Sequence, residues 1–193
     1  ENELRKVLTE LNIPYYEAEG EAAFYGPKLD VQVKSAIGHD VTLSTCQLDF
    51  LLPERFELEY VDEGGKKERP VVIHRAILGS LDRFIAFLLE ETKGDLPTWL
   101  APVQVKVIPV SSEHQGEYAK NIELYLKENG IRVESDLRNE KLGYRLREAQ
   151  TAKIPYTLII GDQEKENDAV SYRLHGQKET TTVSKIEFLN LMK

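Results

Sequence analysis

"DLPTWLAPVQVKVIPV", residues 95–110, holds the change of pattern that decides the fold. Its first eight residues include two prolines, which interrupt helix and sheet alike and put a domain boundary between residues 97 and 98. Its last eight run apolar and polar in near-alternation, the period of a strand. Downstream, helical and extended segments alternate. "EHQGEYAKNIELYLKENG" (113–130) reads as a helix closed by Gly130, "IRVESDL" (131–137) as a strand, and "NEKLGYRLREAQTAK" (139–153) as a helix with Asn139 as N-cap. "YTLIIG" (156–161) and "AVSYRLHG" (169–176) are strands, and "SKIEFLNLMK" (184–193) is a last helix. Strands separated by helices of this length imply βαβ units around a mainly parallel or mixed sheet.

Upstream, the pattern differs. "ENELRKVLTELNIPYY" (1–16) repeats Leu4, Val7, Leu8 and Leu11 at helical spacing and is stopped by Pro14. "LDVQVK" (29–34), "DVTLSTCQLDF" (40–50) and "RPVVIHRAI" (69–77) are strands, with a polar Gly-Gly turn in "DEGGKKE" between the last two. Short links favour an antiparallel sheet. "LGSLDRFIAFLLEETKG" (78–94) then becomes a helix with an apolar stripe of Leu81, Phe84, Ile85, Leu88 and Leu89, and Gly94 as C-cap. The fold class expected is therefore α+β over 1–97, with an antiparallel sheet, followed by α/β over 98–193.

At 193 residues and 41% apolar content, the chain suits two packed domains. It has no apolar run of membrane-spanning length, and its charged N-terminus lacks the core of a signal peptide. The single cysteine, Cys46, cannot form an internal disulfide, so a cytoplasmic location is expected. The net charge of −8 argues against a general polyanion binder, but it is unevenly spread. Residues 1–97 carry 11 Lys and Arg against 19 Asp and Glu, whereas residues 98–193 carry 14 of each. Arg138, Lys141, Arg145, Arg147 and Lys153 form a local basic patch with Glu140 and Glu148 as its acids.

Candidate chemistry is sparse. In "AFYGPKLDVQVK" (23–34) a tight turn delivers Lys28 to a strand mouth, where a lysine is either a solvated edge charge or a phosphate contact. Leu29, Val31 and Val33 are expected on the face opposite Asp30, Gln32 and Lys34. His74 sits on the strand face opposite Ile73 and Arg75 and is either a structural histidine or a metal ligand. His39, His114, His175 and Cys46 offer no metal spacing. "GSLDRF" (79–84) sets Gly79 before a helix whose first turn carries Ser80, Asp82 and Arg83, which suits either an anion or an ordinary cap. In the 139–153 helix, Leu142, Leu146 and Ala149 are expected on the buried face and Arg145 and Arg147 away from it, either on an ordinary solvated face or on a basic surface suited to nucleic acid.

The segments "GEAAFYGPKLD", "TLSTCQLDFLLPERFELEY", "RPVVIHRAILGSLDRF", "PTWLAPVQVKVIPVS" and "SDLRNEKLGYRLREAQTAKIPY" together resemble the threonyl-tRNA synthetases, collinearly over essentially the whole chain. "GSLDRF" resembles the third signature motif of class II synthetases. The IHR triplet resembles the threonine-specific zinc position rather than the related prolyl or histidyl enzymes. The resemblance implies the later part of a class II catalytic domain over 1–97 and an anticodon-binding domain over 98–193. It further implies threonine activation with ATP and Mg2+ and transfer to tRNA(Thr).

By the same resemblance Lys28 and Arg83 are catalytic, and Tyr25, Thr45, Gln47, Ser80 and Arg83 line the amino-acid and ATP pocket. His74 is one of three protein ligands to Zn2+. Asn139, Arg147, Glu164 and Arg173 contact anticodon bases, while Lys141 and Lys153 meet phosphate. The first two class II motifs, the other zinc ligands and the editing domain are expected upstream of Glu1, so that this chain alone neither holds zinc tightly nor activates threonine. A homodimer is expected of the longer parent. The alternative is a stand-alone, non-catalytic tRNA-binding paralogue. The retention of Lys28, His74 and Arg83 together favours the ligase.

Overall fold

The computed structural model describes residues 1–193, which divide into two compact units, 1–91 and 92–193. In the first unit, α1 (Asn2–Glu10) is followed by β1 (Lys28–Lys34) and β2 (Asp40–Asp49), then a short α2 (Leu51–Arg55). β3 (Tyr60–Val61) and β4 (Lys67–Glu68) form a separate small hairpin, before β5 (Val72–Ala76) and α3 (Leu81–Thr92). β1, β2 and β5 make an antiparallel sheet with β2 in the middle. α2 and the hairpin add to the elements expected from sequence.

The entry to β1 depends on Gly26. Its φ of 154° is poorly tolerated by other residues, and a Cβ there would lie 2.1 Å from the Leu48 carbonyl oxygen. The close approach lets Leu48 N–H reach Pro27 O at 3.0 Å and Phe50 N–H reach Tyr25 O at 3.1 Å. The pairing of β1 with β2 shifts between Val31 and Gln32, where Leu43 is left without a partner, the signature of a bulge on β2. Of the three residues expected on the apolar face of β1, Val31 is exposed, while Leu29 and Val33 are half-buried.

The expectation of an ordinary packed core fails in this unit. Leu8 is its one fully buried apolar side chain besides Pro53, and no residue of α3 is buried. Of the expected apolar stripe, Leu81, Ile85 and Leu89 are exposed, and Phe84 and Leu88 are half-buried.

The second unit is built around a five-stranded sheet. β6 (Val105–Pro109), α4 (Ser112–Glu128), β7 (Val133–Ser135), α5 (Leu142–Thr151), β8 (Tyr156–Ile160), α6 (Asp162–Glu166), β9 (Ala169–Leu174), β10 (Thr181–Ser184) and α7 (Lys185–Met192) follow in order. The strands lie in the order β10-β9-β8-β6-β7; β6 is parallel to both neighbours, and β8, β9 and β10 pair antiparallel. The sheet is therefore mixed, and β10 is a strand beyond those expected from sequence.

One face packs Val105, Val107, Leu158, Ile160 and Val170 against Ile122 and Leu126 of α4 and Phe188 and Leu189 of α7. Phe188 also meets the rings of Tyr156 and Tyr172, each at 5.6 Å between centroids. The other face is covered in part by α5 and the turn after it, where Ala149 and Ile154 meet Ile108. The proline-rich segment belongs to this unit because its carbonyls are held there. Arg132 donates to Ala101 O and Trp99 O, and the Gln104 amide donates to Thr98 O at 3.0 Å.

Candidate functional site

Strand register determines what the first unit can do. Lys28 pairs with Gln47 and Gln47 with His74, so a cation, an amide and an imidazole stand in one row across three strands. The next row sets Asp30 opposite Thr45, on the same face. Lys28 Nζ is 2.8 Å from Asp30 Oδ2, and this carboxylate holds the ammonium above its ordinary value. Burial of Asp30 works toward protonation, but hydrogen bonds from Lys28 and Thr45 outweigh it and keep its carboxyl ionised. The Tyr25 hydroxyl donates to Gln47 Oε1, and Gln47 Nε2 donates to Thr45 Oγ1 at 3.2 Å. Tyr25, Lys28, Thr45, Gln47 and His74 are thus brought together on one polar face.

Ser80 and Arg83 lie beyond the end of β5 and make no hydrogen bond to this row. Ser80 Oγ accepts from the Arg83 N–H at 3.3 Å and so caps α3. Gly79, at φ 62°, passes within 3.1 Å of Leu43 O measured from where a Cβ would stand.

Asp49 is a partner of His74 that sequence reading misses. It is 0% exposed, and its Oδ1 accepts from the N–H groups of Leu51 at 3.0 Å and Leu52 at 2.9 Å, while Oδ2 is 2.8 Å from His74 Nε2. Burial pushes its pKa up, but the His74 bond and the two backbone donors prevail and hold it below the ordinary value. An ionised carboxylate only accepts, so Nε2 of a neutral His74 carries the proton and Nδ1 keeps the lone pair. That is the arrangement in which a histidine ligates a metal through one nitrogen while a carboxylate orients it through the other. The residues therefore fit one ligand of a zinc centre, and no group of three His, Cys, Asp or Glu side chains able to hold a metal occurs in the chain. Asp49 follows Thr45 and Gln47 at a spacing of two, a parity that signals it as a neighbour of His74.

In the second unit the anticodon candidates separate into two groups. Register sets Thr157, Arg173, Ser171 and Thr182 on the face that α5 covers only in part. Arg173 Nη2 reaches Thr180 Oγ1 at 3.4 Å, and its buried Nε has no partner. Glu164, on α6, accepts from the Ser171 hydroxyl at 2.6 Å and from the Gly161 N–H at 2.8 Å. Those donors overcome its desolvation and hold its carboxyl below the usual range. Arg147 is exposed on α5, and Asn139 is exposed in the 136–141 loop.

Three expectations about the basic patch are corrected by the structure. Asn139 is not the N-cap: the helix starts at Leu142, and Lys141 precedes it without a side-chain cap. Arg145 does not face solvent but is 2% exposed. Its Nε donates to Glu140 O at 3.1 Å, Nη1 to Asp136 O at 2.9 Å, and Nη2 to Pro109 O at 2.8 Å and Val110 O at 3.3 Å. Arg138 is bound by the carboxylates of Asp136 and Glu148, and Lys153 Nζ donates to Lys93 O. Within the patch, Lys141 and Arg147 are left without a protein partner, Arg145 is internal, and Arg138 is exposed but ion-paired.

Residues 2–92 match the family profile described as the class II tRNA synthetase core domain (G, H, P, S and T), and residues 104–193 the one described as the anticodon binding domain. The fold and the two families define a class II aminoacyl-tRNA synthetase portion joined to an anticodon-binding domain. The chain is 58% identical over 190 residues to a threonine–tRNA ligase of Oceanobacillus iheyensis and 60% identical over 189 residues to one of Geobacillus kaustophilus. Each alignment covers 98% of this chain and 29% of the relative. A crystal structure of the RNA binding domain of threonyl-tRNA synthetase from Cryptosporidium parvum Iowa II superposes with a TM-score of 0.89 at 35% identity, over 99% of this chain and 48% of that one. Over nearly its whole length the chain is thus similar to threonine–tRNA ligases, and it spans less than a third of their length.

Proposed function

We propose that this chain takes part in the ATP-dependent attachment of threonine to tRNA(Thr), with one wall of the adenylation site in its first unit and the anticodon reader in its second. The row of Lys28, Gln47 and His74 carries this reading: a fixed cation, an amide oriented by Tyr25 and an imidazole oriented by Asp49 share one face. In adenylation the threonine carboxylate attacks the α-phosphorus of ATP and pyrophosphate leaves. Negative charge develops on the phosphoryl oxygens, and cations fixed beforehand stabilise that state more than the substrates. Lys28 and Arg83 serve there, with Mg2+ accompanying ATP. Tyr25 meets the amino acid, while Gln47, Thr45 and Ser80 line the pocket of the nucleotide and the tRNA end.

His74 would hold zinc through Nδ1, with Asp49 fixing its ring. Zinc, when bound, supplies a Lewis acid for the amino group and hydroxyl of threonine, the second of which isosteric valine lacks. The remaining ligands, the dimer partner and a cytoplasmic setting belong to the same proposal. No helix is long and apolar enough to cross a membrane. The ligase names of relatives that match nearly the whole chain favour this reading over a binding-only paralogue.

In the second unit, Arg173 has donors to spare, Glu164 is an ionised acceptor, and Asn139 and Arg147 are open to solvent. Such groups read base edges and stack on unpaired bases. Fluorescence anisotropy of a labelled tRNA(Thr) anticodon stem-loop tests this directly. Single changes at the second or third anticodon base, and Arg173→Ala, are expected to weaken binding about tenfold each at fixed salt. Equal affinity for every loop, falling uniformly with salt, would leave phosphate contact alone and overturn the reading.

A further inference from the structure

We infer that Arg145 is a positioning residue for base reading, its buried guanidinium setting the 136–141 loop in the conformation that presents Asn139; this rests on the reading of Asn139 as an anticodon contact. A guanidinium removed from water needs hydrogen-bond acceptors on every side, and carboxylates are the usual ones. Arg145 instead donates to backbone carbonyls alone. Two of them are Pro109 O, at the end of β6, and Val110 O just after it; the other two, Asp136 O and Glu140 O, lie on either side of Asn139. One planar group thus ties both ends of the loop to the sheet.

The loop's other ties reinforce this. Asp136 N–H donates to Val107 O at 2.8 Å, the Asp136 carboxylate binds the Arg138 side chain, and Glu140 N–H donates to Arg138 O at 2.9 Å. Asn139 itself is exposed and its side-chain amide has no hydrogen bond in the chain. Its direction is therefore inherited from the backbone on either side. A lysine cannot hold the loop as Arg145 does, because it is a point charge with three donors and no fixed fork.

The test is a set of double-mutant cycles on the 193-residue chain, read by anisotropy with the anticodon stem-loop. Asn139→Ala and Arg173→Ala are each expected to weaken binding about tenfold in the wild-type background. In an Arg145→Lys background, Asn139→Ala is expected to cost less than about twofold while Arg173→Ala keeps its full effect, because only the first residue acts through the loop. Arg145→Gln repeats the cycle if the lysine variant does not fold. If both Arg145 variants unfold, Arg145 serves folding alone and the inference falls. It falls equally if the effects of Asn139→Ala and Arg173→Ala survive together or vanish together. A wild-type chain indifferent to Asn139→Ala would sink the underlying reading instead, and this arm involves no change at Arg145.

Discussion

Asp136 and Asp49 share a device at the scale of the single residue: a buried carboxylate kept ionised by donors aimed at it. For Asp136 the Arg138 side chain is the main cause, opposed by burial and helped by the Arg138 N–H and the charge of Arg145. A carboxyl whose folded pKa lies below its unfolded value adds stability above the ordinary value of 3.8 and loses it as the pH falls through the folded value. Asp136→Asn should therefore reduce the stability of the second unit at neutral pH and flatten its acid limb. Urea titrations between about pH 7 and pH 2 test this; an acid limb as steep as that of the wild type would show that other carboxylates govern it. The same scale shows where sequence reading stops. Strand parity places Lys28 and His74 on their faces, whereas Glu164 is singled out by the family resemblance alone, in a stretch read as a turn where the structure has α6. Arg145 is not legible, because a charged residue next to Leu146 gives no sign that carbonyls of two distant segments converge on it.

Elements are positioned by close approach and by docking, and each admits a direct test. Gly26→Ala would drive a methyl into the Leu48 carbonyl and force apart the turn and β2. Amide exchange at Leu48 and Phe50, the two N–H groups that pair with this turn, is expected to rise about tenfold or more. Unchanged protection would mean that the turn yields elsewhere. In the second unit, Phe188 at 1% exposure pins α7 to the sheet. Phe188→Ala is expected to destabilise that unit by about 3–5 kcal/mol, read from the urea midpoint at constant slope. Most helices and most strands of the two main sheets are readable from period and caps. β10 is not: "TTVS" is four residues of an edge strand, too short to show alternation, and it forms because β9 offers it a partner.

The whole molecule is uneven in what holds it together. All fully buried apolar side chains except Leu8 and Pro53 belong to residues 92–193, and burial of such side chains is the main favourable term in folding, about 1.5–3 kcal/mol for a large one. Denaturation is expected in two steps, with the first unit lost at low urea and the second holding to a higher midpoint; limited proteolysis should likewise leave a core near residues 92–193. A single transition seen by probes in both units would contradict this. Composition could not reveal the imbalance, since apolar residues at helical spacing in α3 look the same whether or not anything covers them. The exposed stripe of Leu81, Ile85 and Leu89 also matters at the bench. A fluorescent dye that brightens on greasy surfaces should light up with this chain in its folded form, so a melting curve recorded with such a dye would start high and conceal the first transition, which is better followed by circular dichroism.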